Sequence, residues 1–396
     1  MTVFTNCNLW DGTNNSMQAH SWLEVENGRV QQVGQNTPPA SDQTVDLKGQ
    51  YVIPGLINAH THIMMDPVTN EMEQLSETVV TARALRNLDT LLHAGVTTIR
   101  ECGCAFNTDL KLKALAQKQP LVAPHILGSG QPLSMTGGHG DFPEQAGGNF
   151  SYLVDSPDEV RKAARLVLKA GADNIKVMAT GGVMSPGDNI EDTASTVAEM
   201  RVAVEEAHHK SKTVAAHAQG HQGIQNALDA GVDSIEHGIY VDEQQAAFMA
   251  EHQIYLVPTL NACASISKYG RDQLPDYMIR KNDQVKNDFV KNIKMAFEHG
   301  VSVAVGTDAG TPFNSFATGT FEELEIFVNE VEMTPLQALQ AAGTVAAHVL
   351  HIADDYGTLE VGKVADFLVL QADPLQDITA VAQTDKAVYQ AGVLVK

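Results

Sequence analysis

The chain has 396 residues, 43% hydrophobic and 19% charged, which supplies a sizeable core and suits a barrel of about 250 residues beside a smaller domain. Asp and Glu number 48 against 26 Lys and Arg, a formal charge of −22. That balance argues against nucleic acid and against an anionic membrane surface as partners, because both require clustered basic charge.

Met1-Thr2-Val3-Phe4-Thr5-Asn6 has neither the basic patch nor the apolar run of a secretory leader, and no stretch reaches the roughly 18 apolar residues of a membrane span. The expected location is the cytoplasm. Cys7, Cys102, Cys104 and Cys263 are too few and too scattered for a disulfide framework. Cys102-Gly103-Cys104 lacks the further ligands of a metal site and reads as free thiols near a strand end.

Residues 1–55 are short alternating runs, such as Trp22-Leu23-Glu24-Val25, broken by Asn, Gly and Pro. They read as a small antiparallel sheet. Residues 357–396 repeat the texture in Asp366-Phe367-Leu368-Val369-Leu370 and Ala387-Val388-Tyr389-Gln390. Neither end is long enough to bury much alone, so the two are expected to form one discontinuous β-sandwich domain around the segment 56–356.

That middle segment alternates strand and helix. Ala94-Gly95-Val96, Ala170-Gly171-Ala172, Ala230-Gly231-Val232 and His299-Gly300-Val301 each place Gly after a helical stretch and before a β-rich run. Gly enters the left-handed conformation of a helix-to-strand turn cheaply. Ser156-Pro157-Asp158-Glu159 and Thr334-Pro335-Leu336-Gln337 read as helix-starting capping boxes. Eight candidate parallel strands end near His60, Cys102, Gly130, Thr180, His217, His237, Leu260 and Asp308. Eight β/α units predict an α/β fold of the (β/α)8 TIM-barrel type, with its site at the C-terminal strand ends. A doubly wound sheet is the alternative, but no dinucleotide glycine fingerprint follows the first strand.

Polar residues fall where such a site would lie. His60-Thr61-His62 closes the first strand, and alternation along a strand aims both imidazoles into one space. Lys176 lies in the fourth strand, His217 ends the fifth, His237 the sixth and Asp308 the eighth. A single strand-end His is more often a hydrogen-bonded core residue, but four with an Asp on one rim indicate a metal site. His93, His208, His209, His252 and His299 fall in helical runs and carry no such reading. Lys176 has no lone pair as an ammonium, and an unpaired charge in an apolar strand costs several kcal/mol. It could pair with an acid or carry an N-carboxyl group formed with CO2. With His and Asp around it the carbamate is favoured, since its two oxygens can bridge two cations.

This set resembles the amidohydrolase superfamily, binuclear subtype, over nearly the whole chain. Val52-Ile53-Pro54-Gly55-Leu56-Ile57-Asn58-Ala59-His60-Thr61-His62 is highly specific for it. Ser134-Met135-Thr136-Gly137-Gly138-His139-Gly140-Asp141 and Met178-Ala179-Thr180-Gly181-Gly182-Val183-Met184-Ser185-Pro186 are similar to the imidazolonepropionase-like branch. That branch includes Xaa-Pro dipeptidases, carboxypeptidases that remove Arg or Lys, and enzymes that cleave ochratoxin-type amides. The resemblance implies that His60, His62 and Asp308 hold the more buried divalent ion and His217 and His237 the second. Carboxylated Lys176 would bridge them and His139 would bind substrate. Zinc suits an imidazole-rich site, with Mn, Co or Fe as alternatives.

The sequence departs from the branch at Gln219, where some relatives acting on Xaa-Pro dipeptides have Tyr. Gly220 and His221 also stand where ring deaminases and imidazolonepropionase itself carry a Glu proton shuttle. The expected substrate is therefore a dipeptide or N-acyl amino acid with a free carboxylate. Asp308 is expected to act as base and then acid. His139 and the N–H groups of Gly137 and Gly138 are candidates for the carboxylate, with a plain lid turn as the other reading of the glycines. Gln219, His221 and Tyr240 are candidates for the pocket wall. A cyclic amide, carbamate or xenobiotic amide is the alternative substrate, and a non-catalytic scaffold the alternative class. Side-chain preference is expected to reside in residues 131–150 and 185–196. Oligomeric state stays open, although relatives of this branch are often multimers.

Overall fold

The computed structural model describes residues 1–41, 43–68, 76–142 and 150–395. The first five strands are β1 (Thr2–Leu9), β2 (Gln18–Glu26), β3 (Arg29–Gln35), β4 (Gln43–Asp46) and β5 (Tyr51–Pro54). After them come β6 (Leu56–Thr61), β7 (Val96–Glu101), β8 (His125–Leu127), β9 (Leu133–Ser134), β10 (Tyr152–Leu153) and β11 (Asn174–Met178). The remainder are β12 (Thr213–Ala218), β13 (Ser234–His237), β14 (Tyr255–Val257), β15 (Phe367–Leu370), β16 (Ala387–Gln390) and β17 (Val393–Leu394).

The two chain ends share one sheet, ordered β17-β16-β15-β5-β1-β2-β3, with β4 on β1. Register shifts interrupt the β1–β2 and β2–β3 ladders, and such bulges increase twist. An isolated bridge from Arg29 to Val364 brings β3 back against the residues before β15, so the sheet curls over a core of Phe4, Leu23, Val30 and Phe367.

The middle forms the barrel. β6, β7 and β8 pair in parallel, as do β11, β12, β13 and β14, and every residue of β6, β7, β11, β12 and β13 is buried. Strands covered on both faces need no alternation, which explains their near-continuous apolar runs. Backbone bonds from Asp173 and Asn174 to the Gly128 carbonyl join the third barrel strand to the fourth. β9 and β10 form an inserted pair that docks on β11 through Leu133 and Val177.

The eighth barrel position differs from expectation. Residues 303–309 form no continuous ladder. They attach by single bridges, Leu256 to Val303 and Thr61 to Ala309. Thr307 and Asp308 both donate to the His60 carbonyl, and Asp308 takes φ +61°, so the chain turns out of strand geometry there.

The helix punctuation matches the sequence reading. Gly95, Gly171, Gly231 and Gly300 all have φ between 85° and 104°. The Thr334–Gln337 box is reciprocal. The Ser156 hydroxyl caps Glu159, but the Glu159 carboxylate turns to the Asp155 N–H, so that box is only half formed. No described helix is long and apolar enough to cross a membrane.

Candidate metal centre

The barrel rim brings His60, His62, Lys176, His217, His237 and Asp308 to the wall of one cavity, together with His139 and Gln219. His60 and His62 have ring centroids 5.4 Å apart, His60 and His237 5.2 Å, and His217 and His237 4.6 Å. One Asp308 oxygen lies 3.2 Å from His60 Nε2 and 3.0 Å from His62 Nε2. The ligand atoms of His60, His62 and Asp308 fall within 4.8 Å of one another.

Each imidazole has one nitrogen held away from the other ligand candidates, and the second nitrogens of His60 and His62 face Asp308. His60 Nδ1 meets Glu236 Oε2 at 2.6 Å, His62 Nδ1 the Gly103 carbonyl at 3.1 Å, and His237 Nδ1 the Thr259 hydroxyl at 2.8 Å. His217 is reversed, with Nε2 on the Gly181 carbonyl at 3.1 Å. A partner on one nitrogen fixes ring orientation and directs the other nitrogen's lone pair, as metal-ligating histidines require. Burial, then neighbouring positive groups, push His217 well below the usual imidazole range, and burial, opposed by Asp308 and aided by His60 and Lys176, does the same to His237, toward the neutral ligand form. Burial would raise Asp308, but hydrogen bonding and charge from His60 and His62 hold its carboxyl well below the ordinary carboxylate range.

Lys176 Nζ is buried and has no hydrogen-bond partner among the described residues. A polar atom in that position is a strong indication that the wall is built for a group it would contact. The donor set of His60, His62, Asp308, His217 and His237 around this cavity therefore fits divalent cations.

Two residues missed in the sequence orient His60. Glu236 is fully buried beside it, and Arg100 Nη2 reaches the other Glu236 oxygen at 2.6 Å. Ser234 donates to that same oxygen at 2.5 Å. Burial would raise the Glu236 carboxyl, but Arg100 and His60 hold it far below its usual range. The signal was present, since Glu and Arg inside apolar strands must be paired.

His139 stacks on His217 with centroids 4.3 Å apart, and its Nδ1 meets the Ser185 hydroxyl at 2.6 Å. Gln219 stands at the wall with its Oε1 unpartnered among the described residues. Three expectations are corrected. The Gly137 N–H already bonds Asp141 and the Gly138 N–H the Met135 carbonyl, so neither is free for a substrate carboxylate. Those glycines make a turn, with Gly137 at φ +75°. Tyr240 does not line the cavity and its side chain bonds Gln284. His221 points away, to Asp242 at 2.8 Å. Of the loop expected to set preference, residues 143–149 lie outside the described residues.

Four further histidines lie on helices or at a helix end near the surface. His93, His252 and His299 each bond the carbonyl four residues back, and His208 pairs with Asp233. All four cysteines are free and buried.

A (β/α)8 barrel with two histidines on its first strand, further histidines on its fifth and sixth, and Asp after the eighth defines a class: barrels of the metal-dependent hydrolase type. The chain belongs to the amidohydrolase family, whose model matches residues 51–395. It is 35% identical over 300 residues to ochratoxinase of Aspergillus niger, covering 70% of this chain and 61% of the relative, less than two thirds of its length. It is 26% identical over 376 residues to imidazolonepropionase of Pseudomonas putida, covering 86% of this chain and 84% of that one. Among solved structures, a Xaa-Pro dipeptidase with methionine bound in its active site superposes with a TM-score of 0.92 at 29% identity, covering 100% of this chain and 99% of the other.

Proposed function

We propose that this protein hydrolyses the amide bond of a dipeptide or N-acyl amino acid that carries a free carboxylate and an apolar side chain. The observation that carries the reading is the cavity itself. It is lined by the orphaned Lys176, five imidazoles and Asp308, together with Phe142, Phe150, Val183, Met184 and Phe289. Among the described residues the lining has no acid except Asp308, so nothing there would recognise an Arg or Lys side chain.

His60, His62 and Asp308 would hold one divalent cation and His217 and His237 a second, zinc by donor type, with N-carboxylated Lys176 between them. Bound cations would supply Lewis acidity at the scissile carbonyl and bring the pKa of a water near neutrality. The protein's own groups supply the rest. Asp308 accepts the proton of the attacking water as the new C–O bond forms, then delivers it to the nitrogen as the C–N bond breaks. Asp308 has the reach for this because its left-handed backbone turns its carboxylate back over His60 and His62. His139 meets the substrate carboxylate, and Gln219 Oε1 faces the cavity as an acceptor for a substrate N–H.

The test is a panel of dipeptides and N-acyl amino acids assayed with zinc and bicarbonate. Turnover of members with apolar side chains is expected, and no turnover of any member overturns the reading. Asp308→Asn should fold normally and lose roughly 100-fold or more in kcat, within the range for removing a general acid–base group. The aromatic wall also favours a second reading, an aromatic xenobiotic amide, which the same assay separates. Four free cysteines support action in a reducing compartment such as the cytoplasm.

A further inference from the structure

We propose that Lys281, outside the metal centre, is a positioning residue that sets the protein's selectivity for a substrate carboxylate by fixing the loop that holds His139. The inference rests on the carboxylate-recognition reading above.

Lys281 heads the buried stripe of the helix Asp276–Glu298, where Val285, Phe289 and Ile293 follow at intervals of four. An ammonium at an apolar stripe position needs a strong reason to be there. Its Nζ reaches the Gly182 carbonyl at 2.8 Å, the Ser185 carbonyl at 2.6 Å and Asp188 Oδ1 at 3.0 Å. Three acceptors consume all three donors. All lie on the loop after the fourth barrel strand, so one buried side chain pins both ends of residues 182–188. Tyr277, on the same helix, adds a bond from its hydroxyl to the Met184 carbonyl at 3.1 Å.

That loop is the seat of His139. The Ser185 hydroxyl lies 2.6 Å from His139 Nδ1, and Asp188 Oδ2, which has no hydrogen-bond partner among the described residues, lies 3.7 Å from the same nitrogen. The ring rests so closely on Gly182 that a Cβ there would stand 2.5 Å from its Cε1. The opposite face stacks on His217. With Nδ1 occupied and both faces covered, Nε2 is the edge offered to a ligand, and in the tautomer where Ser185 donates to Nδ1 it is an N–H donor. A donor held in place before substrate arrives binds a carboxylate without an ordering cost. Releasing Lys281 frees the Gly182 and Ser185 carbonyls to reorient, and His139 loses its fixed edge while the metal ligands keep their own partners.

The experiment takes the best amide from the substrate panel and its C-terminal alcohol, which keeps the scissile bond and lacks the carboxylate. kcat and KM are measured for both with wild type, Lys281→Met and Lys281→Arg, alongside metal content. Wild type should prefer the acid. Lys281→Met should lose roughly tenfold of that preference, through KM for the acid and with metal content retained, since tenfold corresponds to one hydrogen bond's contribution. Lys281→Arg should recover part of it. If wild type turns over acid and alcohol alike, the carboxylate reading itself fails. If wild type discriminates and Lys281→Met discriminates equally, or if kcat and metal content fall together for both substrates, the positioning role is wrong and the carboxylate reading stands. If Lys281→Met does not fold, Lys281→Arg carries the same comparison.

Discussion

Lys176 Nζ lies in the wall of a cavity crowded with imidazoles and has no acceptor among the described residues. As an ammonium it would be a buried, unpaired charge, and replacing such a charge by an apolar side chain of similar size is often stabilising by about 1–4 kcal/mol. As a carbamate it would be an anion among metal ligands. The two states predict opposite effects for Lys176→Met. With cations removed, the variant should melt above the metal-free wild type. With zinc and bicarbonate present it should hold fewer than two ions per chain and lose turnover. Thermal melts and elemental analysis decide the matter, and two ions per chain with full activity would remove the carbamate bridge. Glu236 poses the neighbouring problem, since its carboxylate fixes which nitrogen His60 turns to the cavity. Glu236→Gln keeps the shape and weakens that control, so zinc affinity measured by competition with a chelator should fall by about 10–100-fold. His60, His62, His217, His237 and Asp308 were legible because the sequence sets them at or near the C-terminal ends of the barrel runs, where barrel sites lie, and Lys176 because it is a charge inside an apolar strand. Glu236 and Arg100 could be flagged in the sequence only as charges needing partners, because which partner each takes is set by another strand.

The helix Leu260–Tyr269 shows how an element can be terminated from outside its own sequence. Thr259 precedes it in a left-handed conformation and offers no side-chain cap. Instead, buried Glu323 from the helix Gly319–Asn329 accepts the N–H groups of Leu260 and Asn261 at 2.9 and 2.7 Å. No local pattern such as Ser-X-X-Glu exists to announce this start. The Thr259 hydroxyl holds His237, so the cap also fixes a metal-ligand candidate. Burial pushes the Glu323 carboxyl up from its ordinary value to about 8, although the two N–H groups act against it. The folded state therefore binds a proton that the unfolded state has released, and this group's contribution to stability declines as pH rises through that interval. Glu323→Gln does not titrate and loses one of two acceptors for buried donors, a cost of about 1–3 kcal/mol. The variant should be less stable than wild type near pH 5, and the gap should narrow toward pH 8.5. A gap constant with pH in denaturant titrations would mean that the carboxyl does not hold its proton. The eighth barrel strand was read in the sequence as a strand like the others. Its single bridges and the turn at Asp308 follow from tertiary bonding to the His60 carbonyl, which no periodicity records.

At the scale of the molecule, the alternation of β15 argues that the end sheet and the barrel unfold together. Phe367 and Val369 face the core of the end sheet, whereas Leu368 and Leu370 belong to the core shared with the barrel helices. Leu368 packs so near Gly95, at the end of the first barrel helix, that a Cβ there would stand 3.0 Å from Leu368 Cδ2. The similar texture of the two chain ends made their union legible. The second apolar face of β15 was hidden, since Phe367-Leu368-Val369-Leu370 reads equally as a strand buried in either core. We retain 1–55 with 357–396, and 56–356, as the proposed domains, and β15 supports treating them as one cooperative unit. Leu368→Ala removes side-chain volume from the shared core and should cost about 2–5 kcal/mol. The expected calorimetric trace is one transition in both wild type and variant, moved to lower temperature as a whole. A second, early transition appearing only in the variant would show that the end sheet has its own stability and that the contact through β15 merely docks it. Cooperative loss is the outcome the packing demands, because β5 continues after a single residue into β6, the strand that carries His60. A cavity at Leu368 therefore has a path of only a few residues to the candidate metal centre, and the zinc content of the zinc-loaded variant should fall along the same thermal transition.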